Sequence, residues 1–147
     1  HAGECALGAA GYYRSHAPVA GEVVVVARDD GRRVLSRIVA GPGARVAVTN
    51  GELEIDGHAV QRGVVDAAGG IYREVLSDGV RYQIHATASA ASLPATQVPA
   101  GHYLVVGDNR DFAAPRIVPA AALLDRMSVL IFSRDTARFG NLLGPLN

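Results

Sequence analysis

Seven short runs, "EVVVVAR", "RVLSRIVA", "ARVAVT", "ELEIDG", "GVRYQIHA", "HYLVVG" and "RMSVLIFS", are rich in β-branched or aromatic residues and bounded by Gly, Pro, Asn and Asp. Side chains branched at Cβ suit a pleated, half-buried surface, and the bounding residues break it at strand length. The segment "TNGELEIDGHAV" predicts a hairpin, with Asn50-Gly51 supplying the positive-φ turn and Leu53 and Ile55 sharing a face. "PAAALLD", where Pro119 suits a first helical turn, is the one helical candidate, and Ala86 to Ala100 reads as a surface loop. The fold class is therefore mainly β, built of antiparallel sheets with at most one short helix. At 147 residues and 49% hydrophobic, the chain is expected to form a single domain over 1–147.

The charge pattern narrows the function classes. The formal net charge is zero, so no global field draws the chain to nucleic acid. All basic residues are arginine, and lysine is absent. Cys5 is the one cysteine, so it closes no internal disulfide and builds no cysteine metal site; it reads as a bland thiol. The histidines at 16, 58, 85 and 102 lack metal-ligand spacing, and Gly31, Gly41 and Gly43 precede no helix start that would cradle a phosphate. No metal or cofactor is expected. No apolar run reaches the ~20 residues that span a bilayer, and there is no cleavable signal. The opening "HAGECALG" reads as a cut-out ectodomain or mature fragment, with any membrane anchor expected before residue 1.

The most informative stretch is "GHYLVVGDNRDFAAPR", which sets Asp108, Asn109, Arg110 and Asp111 directly after an apolar strand ending at Gly107. Alone, such a cluster reads as a solvated Asx-rich turn. Beside a core strand, the same groups can instead satisfy buried partners around a sharp turn.

The order of motifs favours the second reading. "APVAGEVVVV", "LSRIVAGPGARVAVTNGELEIDGHAV", "YREVLSDGVRYQI", "VPAGHYLVVGDNRDFAAPR" and "IVPAAALLDRMSVLIFS" follow one another from Pro18 to Ser133. In sequence and in order they resemble the type I signal peptidase family of serine endopeptidases. Gly107-Asp108-Asn109-Arg110-Asp111 matches the start of the family's "GDNRDxSxDSR" segment residue for residue, and Gly21-Glu22-Val23 stands where the family's Gly-Asp opens a core strand. The resemblance implies that Arg37, Gly107, Asp108, Asn109, Arg110, Asp111 and Arg116 support an active site.

It also implies a Ser/Lys dyad, in which a desolvated lysine takes the proton of a serine nucleophile. Laying "LSRIVAGPGARV" on the family's "xKRxxGxPGDxV" puts Ser36 at the lysine position, keeps Arg37, Gly41, Pro42 and Gly43 in register, and places Ala44 where the motif has Asp. Arg37 cannot act as the base, because a guanidinium stays protonated. No "SMxPT" segment precedes Gly21. Either the serine falls before His1, or "LGAAGYYR" aligns with the "SxPxGxYR" of the conjugative-transfer branch and Leu7 takes its place. Ala114-Pro115-Arg116 replaces "DSR", leaving Arg116 to pair with Asp108 or Asp111. Ser36 activated by one of the histidines is a further, minor alternative.

Three functions follow. One is a catalytically degenerate homologue that binds extended segments of exported, pilin-like or membrane-anchored proteins, on the extracytoplasmic face of the membrane. Another is an active signal peptidase whose nucleophile lies upstream or in another chain. The third is a purely structural domain with a closed groove. In active relatives the substrate lies extended against strands, near positions corresponding here to Val23–Val26 and Leu35–Ile38.

Overall fold

The computed structural model describes the backbone of residues 5–132 and the side chains of residues 10–127. Its strands are β1 (Cys5–Ala9), β2 (Val23–Ala27), β3 (Arg33–Ala40), β4 (Arg45–Thr49), β5 (Glu52–Ile55), β6 (His58–Ala59), β7 (Gln61–Asp66), β8 (Ile71–Val75), β9 (Arg81–His85), β10 (Leu93–Gln97), β11 (His102–Val106), β12 (Arg116–Pro119) and β13 (Leu123–Phe132). They form a six-stranded sheet in the order β1-β13-β2-β3-β11-β12, a four-stranded sheet β10-β4-β5-β6 and a three-stranded sheet β7-β8-β9. Every named strand pair is antiparallel, as expected of a mainly β chain.

The six-stranded sheet is covered on both faces, which explains why β2 (VVVVA) and the end of β11 (YLVV) are continuously apolar. Leu104 and Val106 of β11 face a core shared with Val46, Val48, Leu53 and Ile84 of the other two sheets. Val105 points the other way, into a second cluster with Val24, Val26, Ile38, Val118 and Leu123, against which Tyr13 and Tyr103 pack. The predicted hairpin forms with Asn50 and Gly51 at φ 49 and φ 80, and Leu53 is buried opposite Val48.

Two local expectations are revised. The span Ala86 to Ala100 holds β10, which pairs with β4 through Leu93↔Val48, Thr96↔Val46 and Gln97↔Arg45. Pro94 disguised it, yet proline is admissible in an edge strand because its missing N–H faces no partner. The helix start at Pro119 yields one 3-10 turn, Ala120–Ala122, before Leu123 enters β13. A second 3-10 turn spans Tyr12–Arg14. No helix among the described residues is long and apolar enough to cross a membrane.

Candidate functional site

Strand β3 runs between β2 and β11, with Arg37 opposite Val23 on one side and Val106 on the other. Immediately beyond Val106 the chain turns through Gly107 to Asp111. Arg37 donates from Nε to Asp108 Oδ1 (2.8 Å) and from Nη2 to Asp108 Oδ2 (2.7 Å), while Nη1 reaches the Gly21 carbonyl at 2.7 Å. Its guanidinium lies 4.3 Å from the centre of the Tyr82 ring. Arg37 is 3% exposed, so the fork is held in a dry site by matched donors and acceptors. Burial works to lower its pKa, but the Asp108 carboxylate and its hydrogen bonds, with Tyr82 and Glu74 beyond, leave it raised. The charge at position 37 is permanent.

A second guanidinium cluster adjoins the first. Arg110 Nε donates back to the Gly107 carbonyl (2.8 Å), and Nη1 donates to the Gly51 carbonyl (2.9 Å) and to Glu74 Oε1 (3.1 Å). Nη2 completes the fork on Glu74 Oε2 at 2.6 Å. Glu74, fully buried, also accepts from Arg62 Nη2 at 2.8 Å, and the same nitrogen reaches the Gly51 carbonyl at 2.7 Å. Tyr82 lies between the clusters. Burial, then the nearby Glu74 carboxylate, pushes its hydroxyl pKa well up, while the buried oxygen meets no hydrogen-bond geometry with any group among the described residues, Glu74 included.

The turn itself is pinned by backbone bonds. The His85 amide donates to the Asp108 carbonyl and the Arg110 amide to the His85 carbonyl, both at 2.8 Å, making a parallel bridge between His85 and Asn109. Asn109 Oδ1 accepts from the Asp111 amide at 3.2 Å, and Asp111 Oδ1 accepts from the Thr87 amide at 2.9 Å. His85 Nδ1 stands 3.3 Å from Asp111 Oδ2, within ion-pair range but out of line for a hydrogen bond. A Cβ on Gly107 would meet that of Ala113 at 2.7 Å, so the close approach requires glycine. The cluster is thus no solvated Asx turn: Arg37, Arg110 and the Glu74 that Arg110 grips are core groups.

Most of the residues singled out in the sequence converge here: Arg37 with Asp108, Gly107 with Arg110, and Asn109 with Asp111. Arg116 does not join them. It opens β12 opposite Val105, while Asp108 pairs with Arg37 and Asp111 faces His85. Ser36, at 9% exposure, alternates with Arg37 and so lies on the opposite face of β3, in register with Val24. Its hydroxyl hydrogen-bonds to no histidine among the described residues, so no base stands ready to activate it. Leu7 lies in β1 opposite Val129, and its side chain falls outside the described residues.

Two contributors escaped the sequence reading. Glu74 and Arg62 come from β8 and β7, where alternation resembles an ordinary solvated face. Glu22, 5% exposed, accepts from Tyr13 Oη (2.9 Å) and the Val19 amide (3.1 Å), and sits 3.2 Å from Arg126 Nε. Its signal in the sequence was the match of Gly21-Glu22-Val23 to the family's Gly-Asp at the start of a core strand.

The family model described as "Signal peptidase, peptidase S26" matches residues 1–114, which include the whole of the Gly107 to Asp111 turn. The chain belongs to the S26 signal peptidase family. No curated protein matches it in sequence. Among solved structures it is similar to a signal peptidase I from Enterococcus faecalis V583, at 23% identity and a TM-score of 0.47, covering 74% of this chain and 94% of that one. The S26 match ends at Ala114, the first residue of the Ala114-Pro115-Arg116 that stands in place of "DSR".

Proposed function

We propose that this S26 member is a catalytically degenerate, signal peptidase I-like protein that binds extended segments of exported or membrane-anchored proteins on the extracytoplasmic side of the membrane. The observation that carries the reading is an open stretch of β3. Strand β11 pairs with β3 at Arg37, Ile38 and Ala40 and then turns away at Gly107, whereas β2 pairs along the strand as far as Arg33. Among the described residues, 33–36 therefore have a strand on one side only.

The alternation of hydrogen bonds fixes which groups face the gap. Ile38 bonds toward β2, its amide to the Glu22 carbonyl and its carbonyl from the Gly21 amide. Two and four residues back, Ser36 and Val34 turn the same way, so Leu35 and Arg33 present their N–H and C=O groups to the open side. An extended peptide laid there would add a strand, with affinity from main-chain bonds that need no catalytic side chain. Leu35, 44% exposed, offers apolar contact, and the Arg37–Asp108 pair closes the end of the stretch.

Chemistry is absent from this reading for a physical reason. A serine occupies the family's lysine position, the neighbouring arginine keeps its proton, and the chain has no lysine. The protein should not hydrolyse signal-peptide substrates at neutral pH. Turnover lost in Ser36→Ala would replace this proposal with an enzyme using Ser36. For binding, an Ala-x-Ala peptide should shift backbone amides of residues 33–37 and 107–112 with micromolar or weaker affinity. No shift at millimolar peptide would leave a purely structural domain.

A further inference from the structure

The first residues of β13, the 3-10 turns Tyr12–Arg14 and Ala120–Ala122, and Arg33 line a half-open pocket of about 390 Å³. That volume lies in the range of small-molecule sites, roughly 300 to 1,000 Å³. Leu123, Leu124 and Tyr13 contribute apolar surface to its lining, and Arg14, Arg33 and Asp125 contribute charge.

The charged groups are unevenly satisfied. Asp125 Oδ1 accepts from the Gly11 amide at 3.0 Å, which anchors the carboxylate to the wall. Neither Arg14 nor Arg33 has an ion pair or side-chain hydrogen bond among the described residues. Arg14 is also held in place: Gly11 has φ +66, and a Cβ there would stand 3.4 Å from Arg14 Cδ and Nε, so the arginine stem lies over the bare glycine. One residue thus aims its amide at Asp125 and seats Arg14 at the rim.

The geometry points to a binding site for a small monocarboxylate with an apolar body. Its carboxylate would be taken by Arg14 and Arg33, whose planar forks match two oxygens, and its apolar part would lie on Leu123, Leu124 and Tyr13. Two guanidiniums and one carboxylate leave the pocket a single net positive charge, which suits a monoanion. A phosphate dianion would add a second negative charge beside Asp125. The free acid and the C-terminal carboxylate of a short peptide share this chemistry. The inference goes beyond the peptide-edge reading and does not rest on it.

The test follows backbone amides of the full chain during titration with 4-methylpentanoate, its neutral amide, inorganic phosphate, and an Ala-Leu dipeptide with free or amidated C-terminus. The expected result is saturable shifts at Gly11, Arg14 and Leu123 to Asp125 with the acid, at a Kd of about 1 mM, and none with the neutral amide. Binding of the free but not the amidated dipeptide would extend the site to peptide ends; binding of neither dipeptide would restrict it to free acids. Arg14→Gln and Arg33→Gln should each weaken binding by about tenfold. Equal shifts from acid and amide, tighter binding of phosphate, or no saturation by about 50 mM acid would overturn the assignment. Because the acid and amide comparison uses the unaltered chain, the test survives a variant that folds poorly.

Discussion

Arg37 and Asp108 stand 71 residues apart in sequence and meet in a two-pronged pair, at 2.8 and 2.7 Å, that joins β3 to the turn after β11. The pair is asymmetric in burial, 3% exposed on the arginine side and 28% on the aspartate side. Removing the aspartate therefore strands a buried cation, whereas removing the arginine leaves an acid that water can still reach.

That asymmetry gives the first prediction. Asp108→Ala should lower stability by about 3 kcal/mol, and Asp108→Asn by less, because an amide still accepts one hydrogen bond. Urea denaturation midpoints measure the difference. Equal midpoints for wild type and Asp108→Ala would show that the pair contributes nothing.

The second prediction concerns Glu74, which forms ion pairs with both Arg110 and Arg62. Glu74→Ala should cost about 3 to 5 kcal/mol, a large share of a domain's usual 5 to 15 kcal/mol, because Arg110 would remain buried without its counter-ion. The double variant Glu74→Leu with Arg110→Met should be less destabilised than Glu74→Ala. Thermal unfolding of the three proteins decides it, and a double variant no better than the single one would contradict the electrostatic account.

Alkaline pH supplies the third. Burial, followed by Glu74 for Tyr82 and by the hydrogen bond to Glu22 for Tyr13, raises both hydroxyl pKa values above the ordinary value of 10.0. In the unfolded chain these groups ionise near pH 10, while the folded chain keeps its protons. Their contribution is whole below about pH 10 and is lost progressively above it, as the unfolded state releases protons first. Tyr82→Phe should flatten the fall in stability above pH 10. At pH 7 it should leave stability unchanged or raise it by up to about 1 kcal/mol, since the lost hydroxyl is buried without a hydrogen-bond partner among the described residues. An unaltered alkaline limb would argue against a buried, proton-retaining Tyr82.

The fourth tests the close approach at the turn. Gly107→Ala places a methyl 2.7 Å from Ala113 Cβ and should destabilise by about 1 to 3 kcal/mol. Amide exchange at His85 and Arg110, whose backbone bonds hold the turn, should accelerate with it. Protection unchanged at both amides would mean that the turn yields without strain.

Short apolar runs, their β-branched composition and the Asn50-Gly51 turn determined the fold class, because strand period and turn chemistry are local properties. The pentapeptide Gly107 to Asp111 likewise marked one half of the site, and the serine at position 36 and the missing lysine were legible as residue types alone. Strands β7 and β10 were not legible: "QRGVVD" is exposed along most of its length, and "LPATQ" contains a proline, so only pairing with β8 and β4 makes them strands. Tertiary structure also chose the partners. The sequence offered Arg116 as a partner for Asp108, and the end of β11 delivers Asp108 instead to Arg37, beside it across the sheet. Glu74 became a core residue because Arg110 and Arg62 approach from distant strands, and burial of a carboxylate is tolerable only where such cations arrive. Among the described residues, the stretch 33–36 lacks a second strand because β11 is shorter than β3, a mismatch between strands that no single stretch of sequence records.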